Sequence, residues 1–261
     1  MELSDSTILI TGGTSGIGLE FAKQLLLQGA KIIVTARDIA KLNQTKKQFS
    51  QINIIQSDIN NLKDIEQLYE QVTQQFPGLN IIINNAGIMQ NADLQNPHLD
   101  LENCTREIET NFAGTVRMIH QFLPHLQTKK SSAIINISSG LAFIPFTVSP
   151  IYCGTKAGIH IYSQALRLQL ENTNVKVFEI APPKTDNPMQ KAIPETNGKG
   201  MMKVDKMVSI AVKGILKDKF EIRPGLANIM KWMSRIAPDF FAKLVDRNIK
   251  KRRQKLINSL Q

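Results

Sequence analysis

Cysteine is nearly absent from this chain. Its two thiols, Cys104 and Cys153, stand far apart and outside any metal-ligand spacing, which argues against a disulfide framework or a cysteine-built metal site. That usage fits a reducing compartment, and the cytoplasm is the expected location. Long apolar runs are missing as well. Nothing approaches the roughly 18 residues a spanning helix needs, so no transmembrane segment is expected. The N-terminal MELSDSTILITGG lacks the basic start and apolar stretch of a secretory signal, and none is expected. Acidic residues are the minority charge, 22 against 32 Lys and Arg. The excess is local: residues 226–261 hold nine Lys and Arg and only two Asp. The basic character therefore belongs mainly to a tail. No recognition motif accompanies it, so nucleic-acid binding is not expected.

What is present is a repeating pattern. Apolar runs at TILIT (7–11), KIIVTA (31–36), INIIQS (52–57), LNIIIN (79–84), AIINIS (133–138) and VKVFEIA (175–181) read as strands. Between them, 17–28, 38–49, 62–76, about 98–127 and 150–171 read as helices. Strands that are apolar throughout are buried on both faces. Strand–helix alternation of this kind predicts an α/β fold, a doubly wound parallel sheet flanked by helices. No low-complexity linker divides the chain. The expectation is a single dinucleotide-binding and catalytic domain over 1–225, followed by a helical extension over 226–261. Open sheets of this type bind ligands outside the carboxyl ends of their strands.

Unusual residues cluster at those ends. TGGTSGIG (11–18) follows the first strand and opens the first helix. Gly12, Gly16 and Gly18 there permit a tight turn, close approach to a pyrophosphate and close helix–sheet packing; the bland alternative is a plain Gly-rich turn. After the second strand, Ala36 stands where NAD enzymes commonly carry an acid, and Arg37 follows. A guanidinium fork suits a 2′-phosphate, although Asp38 is placed to pair with Arg37 or replace it. Asp58 either accepts from an adenine amino group or belongs to a helix cap. NNAG (84–87) offers amides that brace neighbouring strands beside a Gly. Ser139 precedes Tyr152 and Lys156, which lie one helical turn apart on one face. Free tyrosine titrates at about 10; a nearby ammonium is expected to lower that value and make an acid/base.

TGGTSGIG, NNAG, Asn111 in NFAG, Ser139 and Tyr152-x-x-x-Lys156 together resemble the short-chain dehydrogenase/reductase family, in its branch of single-domain enzymes. The resemblance runs in order from residue 7 to about 187. Within it, SSGLAFIP, YCGTKAG and EIAPP resemble the DltE-like oxidoreductases. The resemblance implies a Rossmann-like fold and an oxidoreductase that transfers hydride between a nicotinamide cofactor and a carbonyl or alcohol. It implies catalytic roles for Asn111, Ser139, Tyr152 and Lys156. Tyr152 exchanges the proton, Ser139 holds the reacting oxygen, Lys156 also grips the nicotinamide ribose, and Asn111 anchors a relay water. Cofactor contacts are expected from Gly12, Thr14, Ser15, Gly16, Ile17 and Gly18, and from Arg37, Asp58 and Ile59. Asn85, Ala86, Gly87, Tyr152, Lys156, Pro182 and Thr185 complete the set. NADP(H) is the preferred cofactor, with NAD(H) second, and no metal is expected. A homodimer or homotetramer through the helices at 98–127 and 150–171 is implied.

Two regions depart from the family pattern. Pro183 replaces a Gly after the sixth strand, and Asn187 stands where a Thr is usual. That leaves footing for a second function, a catalytically silent NADP(H)-binding sensor or scaffold. Residues of about 184–206 form the expected substrate lid. In the tail, Ile229, Met233, Ile236, Phe240 and Leu244 recur at three or four residues, and Pro238 is placed to start a second helix. The favoured reading is that this basic amphipathic extension packs on the substrate lobe or a partner subunit. The alternative is that it lies on an anionic membrane surface.

Overall fold

Among the described residues, six of the seven strands are the apolar runs of the sequence. They are β1 (Thr7–Thr11), β2 (Lys31–Ala36), β3 (Asn53–Gln56), β4 (Leu79–Asn84), β5 (Ser132–Ile137) and β6 (Val175–Ile180). The structure, a computed structural model, describes residues 2–191, 193 and 200–258. With β7 (Glu221–Ile222), the strands form one parallel sheet in the order β3-β2-β1-β4-β5-β6-β7. The two-residue β7 is too short to leave a sequence signal; it pairs Glu221 with Glu179 of β6.

Helices cover both faces, which is why the strands are apolar throughout rather than alternating. On one face, α1 (Gly16–Leu26), α2 (Ile39–Gln48) and α8 (Val204–Leu216) bury Phe21, Leu25, Leu42, Val208 and Ile215. On the other, α3 (Leu62–Gln75), α5 (Gly114–Gln127) and α6 (Pro150–Gln169) bury Leu68, Val72, Phe122 and Leu166. Buried apolar residues in α3 recur as Ile65, Leu68 and Val72, the spacing of one helical face, and Asn61 caps the helix by accepting from the Lys63 amide at 3.0 Å. Chain order reverses across β1, whose neighbours are β2 and β4. The crossovers diverge there, and their carboxyl ends leave a crevice.

The stretch expected as one helix over about 98–127 is divided. Helix α4 (Leu101–Ile108) starts at the Asp100 cap, and a π-helical turn, Glu109–Ala113, separates it from α5. Asn111, within that turn, bonds the main chain of Ile88, a contact made across the fold rather than along the helix. Beyond β6 come α7 (Pro188–Lys191), then α8, and finally α9 (Leu226–Ile236) and α10 (Pro238–Asn258). Pro238 does start a second tail helix. In the expected lid, Thr185 pairs with Met202 in an isolated parallel bridge, and α8 begins at Val204. Residues 192 and 194–199 of that segment lie outside the described residues.

Candidate active site

The crevice is a cleft of about 580 Å³ at the carboxyl ends of β1, β2, β4, β5 and β6. Every site residue nominated from the sequence lines it except Gly18 and Asn111, which stand just behind its wall. The Gly-rich turn is shaped by neighbours. Gly12 has φ +64°, and a Cβ there would lie 2.9 Å from the Ala86 Cα; at Gly18 one would lie 2.4 Å from Asn85 Nδ2. Asn85 staples the turn: Nδ2 donates to the Thr11 and Gly12 carbonyls at 2.9 and 3.1 Å. Helix α1 then begins at Gly16, and its N-cap residue Ser15 makes no side-chain cap bond; no acid stands in the first turn. Uncapped N–H groups and a favourable dipole thus face the cleft beside Thr14, Ser15 and Ile17, a setting that fits a pyrophosphate.

At the end of β2 the structure resolves what Asp38 does. Its carboxylate caps α2, accepting from the Lys41 amide at 3.1 Å, and pairs with the Lys41 ammonium at 3.7 Å. It is therefore committed to its own helix rather than to Arg37. Arg37 is exposed on the cleft wall, and Lys41, which sequence reasoning passed over, lines it too. Asp58 lines the cleft with Ile59 and accepts from the Asn60 amide at 2.9 Å.

At the cleft floor α6 presents Tyr152 and Lys156, 7% and 4% exposed. Ser139, just past the end of β5, lines the cleft with Tyr152, and its Oγ accepts from the Leu141 amide at 3.1 Å. The Lys156 ammonium donates to the Ile137 carbonyl at 2.9 Å and lies 5.7 Å from the Tyr152 ring centroid. One sequence expectation is corrected. The ammonium does not depress the phenol; burial pushes the Tyr152 pKa up, opposed by the neighbouring Ser139. Burial also pushes Lys156 down to about 8. Both groups are taken out of water together, and the cost of charging each one outweighs their separation-limited attraction.

Asn111 is buried, and its side chain makes three hydrogen bonds. Its Oδ1 accepts from the Ile88 amide at 2.8 Å, and Nδ2 donates to the Ile88 carbonyl at 2.9 Å and to Thr155 Oγ1 at 3.1 Å. A Cβ on Gly87 would lie 3.1 Å from Asn111 Oδ1 and 3.5 Å from Lys156 Nζ, so these groups converge behind the floor. Thr185 is buried, its hydroxyl donating to the Pro183 carbonyl at 2.6 Å. Asn187 Oδ1 accepts from the Gln190 amide at 2.9 Å, which commits it to α7.

One end of the cleft is apolar. Phe146 and Met189 line it, but so do Met230, Val245 and Ile249 of α9 and α10. No local signal distinguishes those three from ordinary core residues of an amphipathic helix. A charged network also lies under the Ser139 strand end. Ser138 Oγ donates to Glu179 at 2.5 Å, His160 Nδ1 meets Glu179 at 2.7 Å, and Glu221 is held by Arg223 and Lys231. The His160–Glu179–Glu221 group has metal-ligand spacing, yet two cations already neutralise Glu221, so it reads as an ion-pair network. Among the described residues, no helix is long and apolar enough to cross a membrane.

A family model described as short chain dehydrogenase matches residues 6–198. An uncharacterized oxidoreductase, DltE of Bacillus subtilis (strain 168), is 42% identical over 186 residues, covering 71% of this chain and 74% of its own length. A short chain dehydrogenase from Burkholderia cenocepacia J2315, solved in complex with NADP, superimposes with a TM-score of 0.82 at 21% identity, over 94% of this chain and 99% of that one. A short chain dehydrogenase/reductase from Burkholderia phymatum, solved with NAD, gives 0.80 at 17% identity, over 88% and 93%.

Proposed function

The chain belongs to the short-chain dehydrogenase family, and from that premise we propose an NADP(H)-dependent oxidoreductase acting on a carbonyl or alcohol substrate, with Tyr152 as its acid/base. The observation that carries this reading is that Ser139, Tyr152 and Lys156 are all buried and line one cleft, with the Lys156 ammonium 5.7 Å from the Tyr152 ring centroid. A bound nicotinamide supplies or accepts the hydride. Burial keeps the phenol protonated across the neutral range, which suits proton donation to a carbonyl oxygen and hence the reductive direction. Ser139 donates a hydrogen bond to the same oxygen. Lys156 holds the nicotinamide ribose, and Asn111, beside it, anchors a relay water. NADPH consumption with a panel of aldehydes, ketones and quinones tests this. Tyr152→Phe should lose at least about 100-fold, the low end for general acid–base catalysis. Equal rates in the two proteins would sink the assignment; tight NADPH binding without turnover of any carbonyl would favour the silent sensor or scaffold.

The preference for NADP(H) over NAD(H) rests on the committed Asp38 and the cleft-facing Arg37 and Lys41. Residues 1–225 form the catalytic domain in this reading, and 226–261 an extension that serves as a substrate wall through Met230, Val245 and Ile249. The protein is cytoplasmic and assembles as a dimer or tetramer through α4, α5 and α6, where Leu101, Ile161 and Leu168 are exposed; light scattering after size exclusion tests the assembly.

The extension also favours peripheral contact with an anionic membrane. Trp232, Ile236 and Phe240 are 60%, 75% and 62% exposed, and exposed Arg235 and Lys243 lie close to them in sequence. A second copy of the same face would set like charges against each other across a twofold axis, whereas anionic headgroups complement them. Co-sedimentation with phosphatidylserine vesicles, abolished in Trp232→Ala/Phe240→Ala, is expected; no binding at low salt would exclude the contact.

A further inference from the structure

Behind the cleft floor lies an acid that the proposed chemistry does not use. Glu107 sits in the last turn of α4 and is 1% exposed. One carboxyl oxygen accepts from the Gln90 amide at 2.5 Å; the other is buried with no donor among the described residues. A carboxylate costs several kcal/mol to bury without a partner, and a glutamine or leucine would fill the same space more cheaply. Lys156 has the mirror-image problem. It is buried, and its one hydrogen-bond acceptor among the described residues, the Ile137 carbonyl, carries no charge. Helix α4 packs on α6, and one segment joins the two groups: Gln90 bonds Glu107, while a Cβ on Gly87 would lie 3.5 Å from Lys156 Nζ; the titratable groups of α6 that interact with the Glu107 charge are Tyr152, Cys153 and Lys156. Of these only Lys156 is a cation. Conversely, Glu107 is the one charge that raises the Lys156 pKa against burial.

We infer that Glu107 is a positioning residue of this active site, the counter-charge that keeps the Lys156 ammonium protonated where it meets the cofactor ribose. Its placement explains two linked features. The Gln90 amide fixes the carboxylate, and Asn111, one turn further along, clamps Ile88 of the same segment. The segment 88–90 therefore sets the carboxylate and the cleft floor in one rigid unit. Burial raises Glu107 itself to about 7, so above that pH the carboxylate is charged and holds the Lys156 proton up to about 8, past the point where burial alone would release it.

The inference rests on the reading of Lys156 as a ribose contact, and its test separates the two. NADPH affinity, which needs no turnover, is measured from pH 6 to 10 in wild type and in Glu107→Gln, which keeps the acceptor for Gln90 but not the charge. Affinity should fall at alkaline pH as Lys156 deprotonates. In the variant that fall should come about one pH unit earlier, the low end of the effect of a neighbouring opposite charge. The alkaline limb of carbonyl reduction should move the same way, because losing the carboxylate lets both Lys156 and Tyr152 give up their protons sooner. An unmoved limb, with or without a uniform loss of affinity, would overturn the inference. Should the variant not fold, the wild-type Lys156 Nζ resonance decides: it must sense a second titration near pH 7, and a single-step curve refutes the coupling. Intact NADPH binding with no turnover would instead count against the proposed function and leave the Glu107 test standing.

Discussion

Arg37→Ala gives the sharpest prediction about the cofactor. Arg37 is exposed on the cleft wall at the end of β2, while the neighbouring acid is spent on Lys41. A charge-assisted hydrogen bond to a phosphate is worth about 1.5–3 kcal/mol. The site is open to water, and the long side chain must be ordered on binding, so the lower half of that range applies, roughly 1.5–2 kcal/mol. At about 1.4 kcal/mol per decade, NADPH affinity should fall about 10- to 30-fold. NADH carries no 2′-phosphate and should change less than about twofold. Titration of both cofactors by fluorescence, at about 0.15 M salt, reads the two constants. The NADPH value should also weaken with added salt more steeply in wild type than in the variant. An equal loss for both cofactors would refute the reasoning, as would a wild type that binds NADH more tightly. Either result would mean that the end of β2 does not read the 2′-phosphate.

Asn85→Ala removes two hydrogen bonds to main-chain carbonyls, Thr11 and Gly12, and should destabilise the fold by about 1–3 kcal/mol in urea unfolding while weakening NADPH and NADH alike. Glu107 predicts a stability slope of definite sign. The folded carboxyl holds its proton to about 7 and the unfolded one to about 4.5, so the folded state binds more protons between those values. Stability should therefore fall as pH rises from about 4.5 to about 7; Glu107→Gln should flatten that part of the curve, and an unchanged slope would rule the carboxyl out as its source. Gly18→Ala would place a methyl 2.4 Å from Asn85 Nδ2 and 2.7 Å from the Gly12 carbonyl. Loss of cofactor binding before loss of the global fold is expected, read by comparing NADPH titration with thermal melting.

Much of this architecture is legible in the chain because the signals are local. Each central strand is an apolar run of the length a buried parallel strand requires, and each strand end carries its own polar cluster. The π-helical turn at Glu109–Ala113 left no such mark, because it answers to Ile88 rather than to its neighbours in sequence. The role of Asp38 was undecidable for a similar reason: one carboxylate had two plausible partners, and only the placement of Lys41 chose between them. The direction of the Tyr152 shift was misread because a spacing of four residues reports proximity to a cation and nothing about burial.

By itself the sequence determined the strand–helix order, the Gly-rich turn and the presence of a phenol and an amine on one helix face, since those follow from periodicity and residue type. Tertiary structure alone decided that Glu107, 45 positions upstream of Tyr152 in the chain, stands behind the same floor, and that the basic tail closes the apolar end of the cleft. The physical reason is that burial and long-range charge depend on what packs around a group, and no local pattern encodes which distant segment that will be.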